Sequence, residues 1–326
     1  MIDYKPSNIR LWSRLGSCGA FGVAANELAQ TNENFLVVTA DLCFYSGLDR
    51  FKAKYSDKIF NVGIAEQNML GVAAGFAKEG FVPFATTYAT FASARCADQV
   101  RVNMGYMKLN VKLVGLTSGL SVGILGPTHI STEDIAIIRS IPNIIILSPA
   151  DCTETIKATI AASKVNAPVY LRLSGPMNNP IVYNDDYDFE IGKAITLKEG
   201  KDISIIATGT MVYNSLKAAE ILKDRYSIDT GVINMHTIKP LDNEAVDTAC
   251  ESKLLVTVEE HSKIGGLGSA ISEYLSEKEI RPPQLILGLS DEYKHAGSYD
   301  YLIEQYGLTP EKIAENILKK YKSIER

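Results

Sequence analysis

The 326-residue chain has few cysteines and no CxxC pair. Its five cysteines stand far apart, at Cys18, Cys43, Cys96, Cys152 and Cys250. An odd number at such wide spacing gives no indication of a disulfide framework or of a zinc site. The sequence therefore predicts reduced thiols, most of them buried.

Neither sign of charge dominates, since 33 lysines and arginines stand against 38 aspartates and glutamates, a net charge of −5. This balance argues against nucleic acid or an anionic membrane as the main partner. Apolar runs are also short, and none approaches the ~20 residues of a membrane span. The N-terminal segment MIDYKPSNIRLWSR carries charges and a proline where a signal peptide needs an apolar segment. We therefore expect a cytoplasmic protein.

What the sequence does contain is a regular alternation of strands and helices. Apolar runs rich in β-branched residues predict strands at NFLVVTAD, FVPFATTY, VKLVGLT, NIIILSPAD and APVYLRLS. Helical patterns lie around and between them, at 11–30, 65–79, 89–106, 131–140 and 151–164. Continuous apolar strands separated by helices predict a parallel sheet covered on both faces.

Residues 175–192, GPMNNPIVYNDDYDFEIG, interrupt this alternation with prolines, asparagines and acids, and we interpret them as a linker. Strands then resume at DISIIATG, DTGVINM, KLLVTVEE and PQLILGL. We predict an α/β protein of two doubly wound domains. The first, over 1–180, has a mostly parallel sheet, and a smaller α/β domain covers 193–326.

Parallel sheets bind ligands beyond the carboxyl ends of their strands. The residues that follow or end a predicted strand are Asp41, the turn 86–88, the loop 117–129 and Arg172. Arg172, like Arg14 near the N-terminus, is suited to bidentate binding of a phosphate, with a surface salt bridge as the alternative.

The loop 117–129 contains three glycines and a proline and ends at His129. We expect a helix to follow it, capped by Ser131 or Thr132. An imidazole at such a place can act as an acid, a base or a ligand for hydroxyl groups, although a lone histidine is more often structural. Farther on, the glycine-rich EEHSKIGGLGSAISEYL lacks the spacing of a dinucleotide site, so we interpret it as tight packing.

Residues 59–80, IFNVGIAEQNMLGVAAGFAKEG, place Glu66 at the start of a helix rich in small residues. With Gly63 as N-cap, Glu66 takes the third helical position, where a carboxylate is a common capping residue. Helical spacing also puts Glu66 on one face with Leu70 and Ala73. We therefore expect a buried carboxylate, which makes Glu66 a candidate acid–base group.

Residues 84–101, FATTYATFASARCADQVR, place Tyr88 and Phe91 three positions apart, on one side of an expected helix. Flat ligand rings can stack on such a pair, although two aromatic residues more often belong to a core. Arg95 and Asp98 have the same spacing and predict an ion pair.

Together these segments resemble the C-terminal part of transketolase, its pyrimidine-binding domain followed by its C-terminal domain. The matching motifs keep the family's order over nearly the whole chain: TADL, NVGIAEQNMLGVAAG, FATTYATF, GPTH, EDIAIIRSIPN, SPAD, IATGT and EEHSKIGGLGSA. Single motifs such as SPAD are weak, whereas the ordered set is specific.

The resemblance implies thiamine diphosphate as cofactor. Glu66 matches the family's glutamate, which bonds a ring nitrogen of the aminopyrimidine and so helps to activate the thiazolium carbon. Tyr88 and Phe91 match the positions that stack on the pyrimidine. Asp41 resembles an acid near the cofactor and the substrate channel.

By the same resemblance, a two-carbon ketol unit passes from a ketose to an aldose. His129 matches a histidine that contacts substrate hydroxyls and assists proton transfer, while Arg14 and Arg172 match arginines that bind the sugar's terminal phosphate. A histidine and an aspartate that recognise the donor in common transketolases are replaced by Thr117 and Leu125. The donor is therefore open to an anionic ketose other than the usual pentose phosphate.

Two more departures concern phosphate contacts. A phosphate-contacting serine of the family aligns with Tyr45, or with Ser46 after a shift of one residue. The GDG motif that holds magnesium and the diphosphate is absent from this chain. We therefore expect a split enzyme in which an N-terminal partner subunit carries GDG and magnesium, assembled as a dimer of heterodimers. No metal ligand is assigned to this chain.

Two alternatives stay open. The beta subunit of a 2-oxo acid dehydrogenase has the same two-domain plan, although GPTH followed by EDIAIIRSIPN favours transketolase. A non-catalytic module that retains the fold is the other alternative. A costly buried carboxylate beside a ring-stacking pair argues against it.

Overall fold

The computed structural model describes residues 2–324, so residues 1, 325 and 326 of the predicted domain ranges lie outside the described part. Its strands are β1 Phe35–Thr39, β2 Ile59–Asn61, β3 Val82–Tyr88, β4 Lys112–Ser118, β5 Ile145–Leu147, β6 Val169–Ser174, β7 Ile195–Lys198, β8 Ile203–Ala207, β9 Thr230–Asn234, β10 Thr237–Lys239, β11 Leu254–Ser262 and β12 Gln284–Leu289. Its α-helices are α1 Pro6–Thr31, α2 Asp49–Lys54, α3 Glu66–Lys78, α4 Ala97–Gln99, α5 Asp134–Arg139, α6 Cys152–Lys164, α7 Met211–Tyr226, α8 Asn243–Ala249, α9 Leu267–Leu275, α10 Tyr299–Gln305 and α11 Pro310–Ile324.

The strands form two sheets. The first has seven strands in the order β10-β5-β6-β4-β3-β1-β2, and the second has five in the order β12-β11-β8-β9-β7. Neighbours pair in parallel except at one edge of each sheet, where β10 and β7 are antiparallel. The predicted α/β class with mostly parallel sheets is confirmed. Strand β10 comes from the second half of the chain but extends the first sheet, so hydrogen bonds tie the two halves together.

Helices cover both faces of each sheet. Successive strand residues point to opposite faces, so neighbouring residues of one strand pack against different helices. In β1, Phe35 packs against Phe21 of α1, and the next residue, Leu36, lies in the cluster of Met69 from α3. The second sheet repeats the pattern, with Ile205 beside α7 and α11 and its successor Ile206 beside α8 and α9. The predicted doubly wound plan is thus confirmed for both sheets.

The segment between the sheets, 175–192, contains no regular helix or strand, as predicted. Asp151 caps α6 by accepting the Glu154 N–H at 2.8 Å. Across residues 2–324, no helix combines the length and apolar character needed to cross a membrane.

Two local predictions, both of helix caps, were wrong. The α3 helix begins at Glu66 with Ala65 as its N-cap, so Gly63 is not the cap. The α5 helix begins at Asp134, and Ser131 instead exchanges two backbone hydrogen bonds with Gly119 across the preceding loop.

The helical pattern over 89–106 is confirmed as a helical segment, although it is not a regular α-helix. It is wound as π-helix over Phe91–Arg95 and Val100–Tyr106, with the short α4 between them. Wide π-helical turns are rare in proteins, and those that occur often lie at functional sites.

Candidate active site

The carboxyl ends of four parallel strands, β1 to β4, meet at one edge of the first sheet. Asp41 follows β1, Glu66 follows β2, Tyr88 ends β3, and the loop after β4 leads to His129. Residues distant in sequence are therefore brought to one edge, where open α/β sheets bind ligands.

Three rings form the centre of this edge. The Tyr88 and Phe91 ring centroids lie 6.0 Å apart in an edge-to-face arrangement. The His129 ring lies 5.8 Å from Tyr88 and 5.3 Å from Phe91. Its Nδ1 is 2.9 Å from the hydroxyl of Thr128. Burial is the main cause that raises the pKa of the Tyr88 phenol, and the nearby Tyr45 is the second cause. The Tyr88 side chain therefore stays a neutral hydroxyl.

Glu66 is buried, as its helical pattern predicted, with a side chain only 5% exposed. Its Oε1 accepts a hydrogen bond from Arg95 Nη1 at 2.6 Å. Its Oε2 accepts no hydrogen bond from any residue within 2–324. The guanidinium of Arg95 also lies 3.8 Å from the centre of the Phe91 ring. A half-exposed cation thus connects the carboxylate to the aromatic group.

The predicted pair of Arg95 with Asp98 was therefore wrong. Asp98 bonds Arg101 at 2.8 Å, and Arg95 turns to Glu66 instead. The physical reason is the wide winding of this segment, combined with the presence of a buried carboxylate that needs a partner.

Asn61 was missed by the sequence reasoning. Its Oδ1 accepts the N–H groups of Asp41 at 2.9 Å and Gly63 at 3.0 Å, and its Nδ2 donates to Asp41 Oδ1 at 3.0 Å. Asp41 adopts a φ of 59°, so these bonds hold a left-handed backbone turn. Asn61 therefore ties the end of β1 to the chain that leads into Glu66. The available signal was a polar residue at the end of the short run Ile59–Asn61, just before Gly63.

The alignment of Tyr45 or Ser46 with a phosphate-contacting serine can now be judged by position. The Tyr45 ring is exposed and lies 6.3 Å from Tyr88. The Ser46 hydroxyl is buried and bonds Leu42 O and Thr86 Oγ1. Tyr45 is thus the member of the pair that faces the site.

The two predicted phosphate-binding arginines are placed differently. Arg14 is exposed and forms no ion pair within residues 2–324. It lies two residues before Gly16, whose φ of 74° interrupts α1. Arg172 is 1% exposed; its Nε bonds Asp134 Oδ2 at 2.8 Å and its Nη2 bonds Glu260 O at 2.9 Å. The predicted phosphate contact does not fit Arg172, because its charge is buried and already paired.

Asp134 shares this buried network. Burial alone would raise the pKa of its carboxyl group, but the adjacent Arg172, His261 and the Tyr170 hydroxyl lower it below the ordinary value. Through Arg172, the network joins α5 to β11.

The glycine-rich turn after β11 is tight packing, as predicted. A Cβ on Gly266 would lie 2.0 Å from Glu259 Oε2, which already accepts the Leu267 N–H at 2.7 Å. Burial raises the pKa of Glu259 to about 7 and lowers that of His261 to about 4. Glu259 and His261 are thus structural groups of the second sheet, and Glu259 holds the start of α9 against β11.

The open edge therefore offers a carboxylate with a free oxygen, two aromatic rings and an imidazole. That set suits a flat nitrogen heterocycle, which can bond the carboxylate through a ring nitrogen and stack on a ring face. Within 2–324, no group of three or more His, Cys, Asp or Glu side chains is placed to hold a metal ion.

Comparison with known proteins agrees with this chemistry. Residues 17–178 match the family "Transketolase, pyrimidine binding domain", and residues 192–313 match "Transketolase, C-terminal domain". The 6-deoxy-6-sulfo-D-fructose transketolase subunit SqwH of Clostridium sp. is 40% identical, with 88% of each chain covered. An apulose-4-phosphate transketolase subunit of Phocaeicola vulgatus is 37% identical over 90% of this chain and 93% of that protein.

A solved structure is also similar. The split-gene transketolase determined as an inactive β4 tetramer has 36% sequence identity and a TM-score of 0.84, covering 95% of this chain and 99% of that one. The chain thus belongs to the transketolase family, with a pyrimidine-binding domain followed by a C-terminal domain.

Proposed function

We propose that this chain is the C-terminal subunit of a two-component transketolase, which moves a two-carbon ketol unit from an anionic ketose to an aldose. The observation that carries the proposal is the meeting of Glu66, Tyr88, Phe91 and His129 at one sheet edge. Each of these residues stands at a family motif position. Their proximity supports one shared cofactor site.

Thiamine diphosphate, when bound, supplies the nucleophilic carbon that attacks the ketose carbonyl. The residues of this edge fit its aminopyrimidine ring. Glu66 has an oxygen free to share a proton with a ring nitrogen, and its burial strengthens that hydrogen bond. Tyr88 and Phe91 provide the aromatic surface. Asp41, held by Asn61, contributes negative charge at the border of the site.

Arg95 now has a defined relation to the cofactor. It lies on Glu66 and on Phe91, the two groups proposed to hold the pyrimidine ring. Its side chain is 44% exposed, so it can move away at small cost. Arg95 favours the ionised carboxylate, whereas the ring nitrogen shares a proton with it, so Arg95 and the ring compete for Glu66 although they bond different oxygens.

His129 is proposed to exchange protons with sugar hydroxyls. Thr128 occupies its Nδ1, which leaves Nε2 for the substrate. The rings of Tyr88 and Phe91 restrict the imidazole on two sides, so its orientation is fixed before a sugar binds.

Two features support an anionic ketose. The relatives described above are named for a sulfonated and a phosphorylated sugar. Arg14, exposed at the break in α1, is the arginine proposed to bind the terminal anion. Thr117 and Leu125 stand where donor-recognising polar residues are expected, so the donor is proposed to differ from the usual pentose phosphate.

A partner subunit completes the proposal. It carries the GDG motif and magnesium and binds the diphosphate, and two such pairs form a dimer of heterodimers. Apolar residues beside the site support coverage by another chain, since Phe44 is 71% and Ile64 79% exposed.

The test replaces Glu66 with Gln in the assembled complex. We expect ketol transfer to fall by roughly 10²–10⁴-fold, the contribution of a positioned proton-transfer group. Glu79→Gln is the matched control, because Glu79 is an exposed glutamate at the other end of the same helix, and it should transfer normally. Unchanged transfer in Glu66→Gln would remove the cofactor role of this residue.

A further inference from the structure

The His129 loop, residues 119–130, is fixed largely by the second domain. Two backbone hydrogen bonds between Gly119 and Ser131, of 3.0 and 3.1 Å, close the neck of the loop. At its two ends, Leu120 and Ile130 are buried in the hydrophobic cluster of the second sheet. The loop that carries a proposed active-site histidine is thus packed into the core of the other domain.

Glu260, near the end of β11, makes polar contacts between the His129 loop and the second domain. Its carboxylate accepts the Leu120 N–H at 2.6 Å, the Thr210 hydroxyl at 2.5 Å and the Tyr299 hydroxyl at 2.7 Å. One donor belongs to the His129 loop and two belong to the second domain. Hydrogen bonds to a carboxylate are stronger than neutral ones, and Glu260 is only 2% exposed.

Backbone glycines allow this close approach. A Cβ on Gly119 would lie 2.3 Å from Glu260 Oε1, and the φ of Gly119 is 67°. Farther along the loop, Gly123 O accepts the Gly297 N–H at 3.1 Å, and a Cβ on Gly123 would lie 2.6 Å from Gly297 O. The loop is therefore held at two separate places by the second domain.

We propose that Glu260 is a positioning residue, which holds the His129 loop against the second domain and thereby sets the place of His129 beside Tyr88 and Phe91. The effect of this position on ketol transfer rests on the proposed function. The position itself rests on the contacts described above and does not depend on that function. The Glu260 carboxylate is thus one of the contacts through which the C-terminal domain acts on the active site.

Hydrogen exchange of the full-length chain tests the position. Glu260→Ala should speed exchange of the His129 loop amides by about tenfold, the effect of losing one hydrogen bond to a charged group. Glu260→Gln should keep the wild-type rates, because the amide oxygen still accepts the Leu120 N–H and the amide NH₂ can donate to the two hydroxyl oxygens. The buried amides of β8 serve as the internal reference.

Two results would overturn the proposal. One is an unchanged loop in Glu260→Ala, and the other is a rise in loop exchange that β8 shows equally. Should Glu260→Ala fail to fold, Gly119→Ala probes the same contact from the loop side, since its new Cβ meets the carboxylate. The same release of the loop is then expected, and wild-type exchange would count against the proposal.

A double-mutant cycle in the assembled enzyme separates this inference from the proposed function. If Glu260 acts through His129, adding Glu260→Ala to His129→Ala should cost less than about twofold in kcat/KM, although each change alone lowers it. Fully additive losses would contradict positioning. If His129→Ala transfers normally, the proposed role of the histidine fails, while the exchange data still decide what holds the loop.

Discussion

At the carboxyl-terminal edge of the first sheet, Glu66 bonds one half-exposed arginine. At the corresponding edge of the second sheet, Glu259 and Glu260 of β11 together accept five hydrogen bonds. All three glutamates are buried, and both sheets are mostly parallel. The two edges therefore differ in how completely the chain itself satisfies its carboxylates.

This difference distinguishes a carboxylate that can bind a ligand from one that has a structural role. A buried carboxylate with fixed internal donors is held in place by the fold and has no oxygen left for a ligand. A buried carboxylate with one exchangeable partner can accept a ligand instead, because little is lost when the arginine leaves. Under the proposed function, the same sheet edge serves binding in one domain and support in the other.

The largest effect expected from this comparison is on the pH dependence of stability. The pKa of Glu259 is raised from 4.5 to about 7 in the folded protein. The folded state therefore holds this proton more tightly, and the resulting stability is full below about 4.5 and is lost as pH rises through about 7. The difference in unfolding free energy between wild type and Glu259→Gln should change by about 3 kcal/mol across this range.

Urea unfolding at a series of pH values measures that difference. His261, whose pKa is lowered to about 4, contributes in the opposite direction in both proteins, and the difference between the two pH profiles isolates the part that depends on Glu259. At neutral pH, Glu66→Gln should cost less than about 1 kcal/mol, since it removes a single ion pair with a half-exposed partner. Parallel pH profiles for wild type and Glu259→Gln would contradict the comparison.

The next effect concerns the aromatic surface of the first edge. Phe91→Ala should weaken binding of thiamine diphosphate to the assembled complex by about tenfold, through loss of ring stacking. Phe81→Ala is the control, because Phe81 precedes the amino end of β3, at the opposite edge of the sheet. Calorimetric titration of the cofactor measures both, and equal affinities would exclude Phe91 from the pyrimidine site.

The smallest effect concerns Arg95. Arg95→Ala should tighten cofactor binding by about two- to fivefold, since a partly exposed ion pair contributes up to ~1 kcal/mol and would no longer compete for Glu66. Arg101→Ala, which breaks the neighbouring surface pair with Asp98, should leave the affinity unchanged. Weaker cofactor binding in Arg95→Ala would show that Arg95 assists the cofactor.

Much of this arrangement could be predicted from the sequence, because it depends on local patterns. Continuous apolar runs identify the parallel strands, and the rule for strand ends then brings Asp41, Tyr88 and His129 to one edge. Helical spacing also predicted the burial of Glu66, since it shares a face with apolar residues.

The partners of buried charges could not be predicted in the same way. The end of a strand placed Arg172 near the edge but gave no sign that Asp134 of α5 would enclose it. Arg95 reaches Glu66 through a π-helical winding that no periodicity indicated. The edge strand β10 and the contact of Glu260 with Leu120 join distant parts of the chain, and such pairings depend on tertiary packing.

The most direct test of the central claim is reconstitution with a GDG-containing partner. Ketose-to-aldose transfer would be measured for this chain alone, for the partner alone and for the two combined, each with thiamine diphosphate and magnesium. We predict transfer by the combination and by neither chain alone. Transfer by this chain alone, or a combination that decarboxylates a 2-oxo acid and transfers no ketol unit, would contradict it.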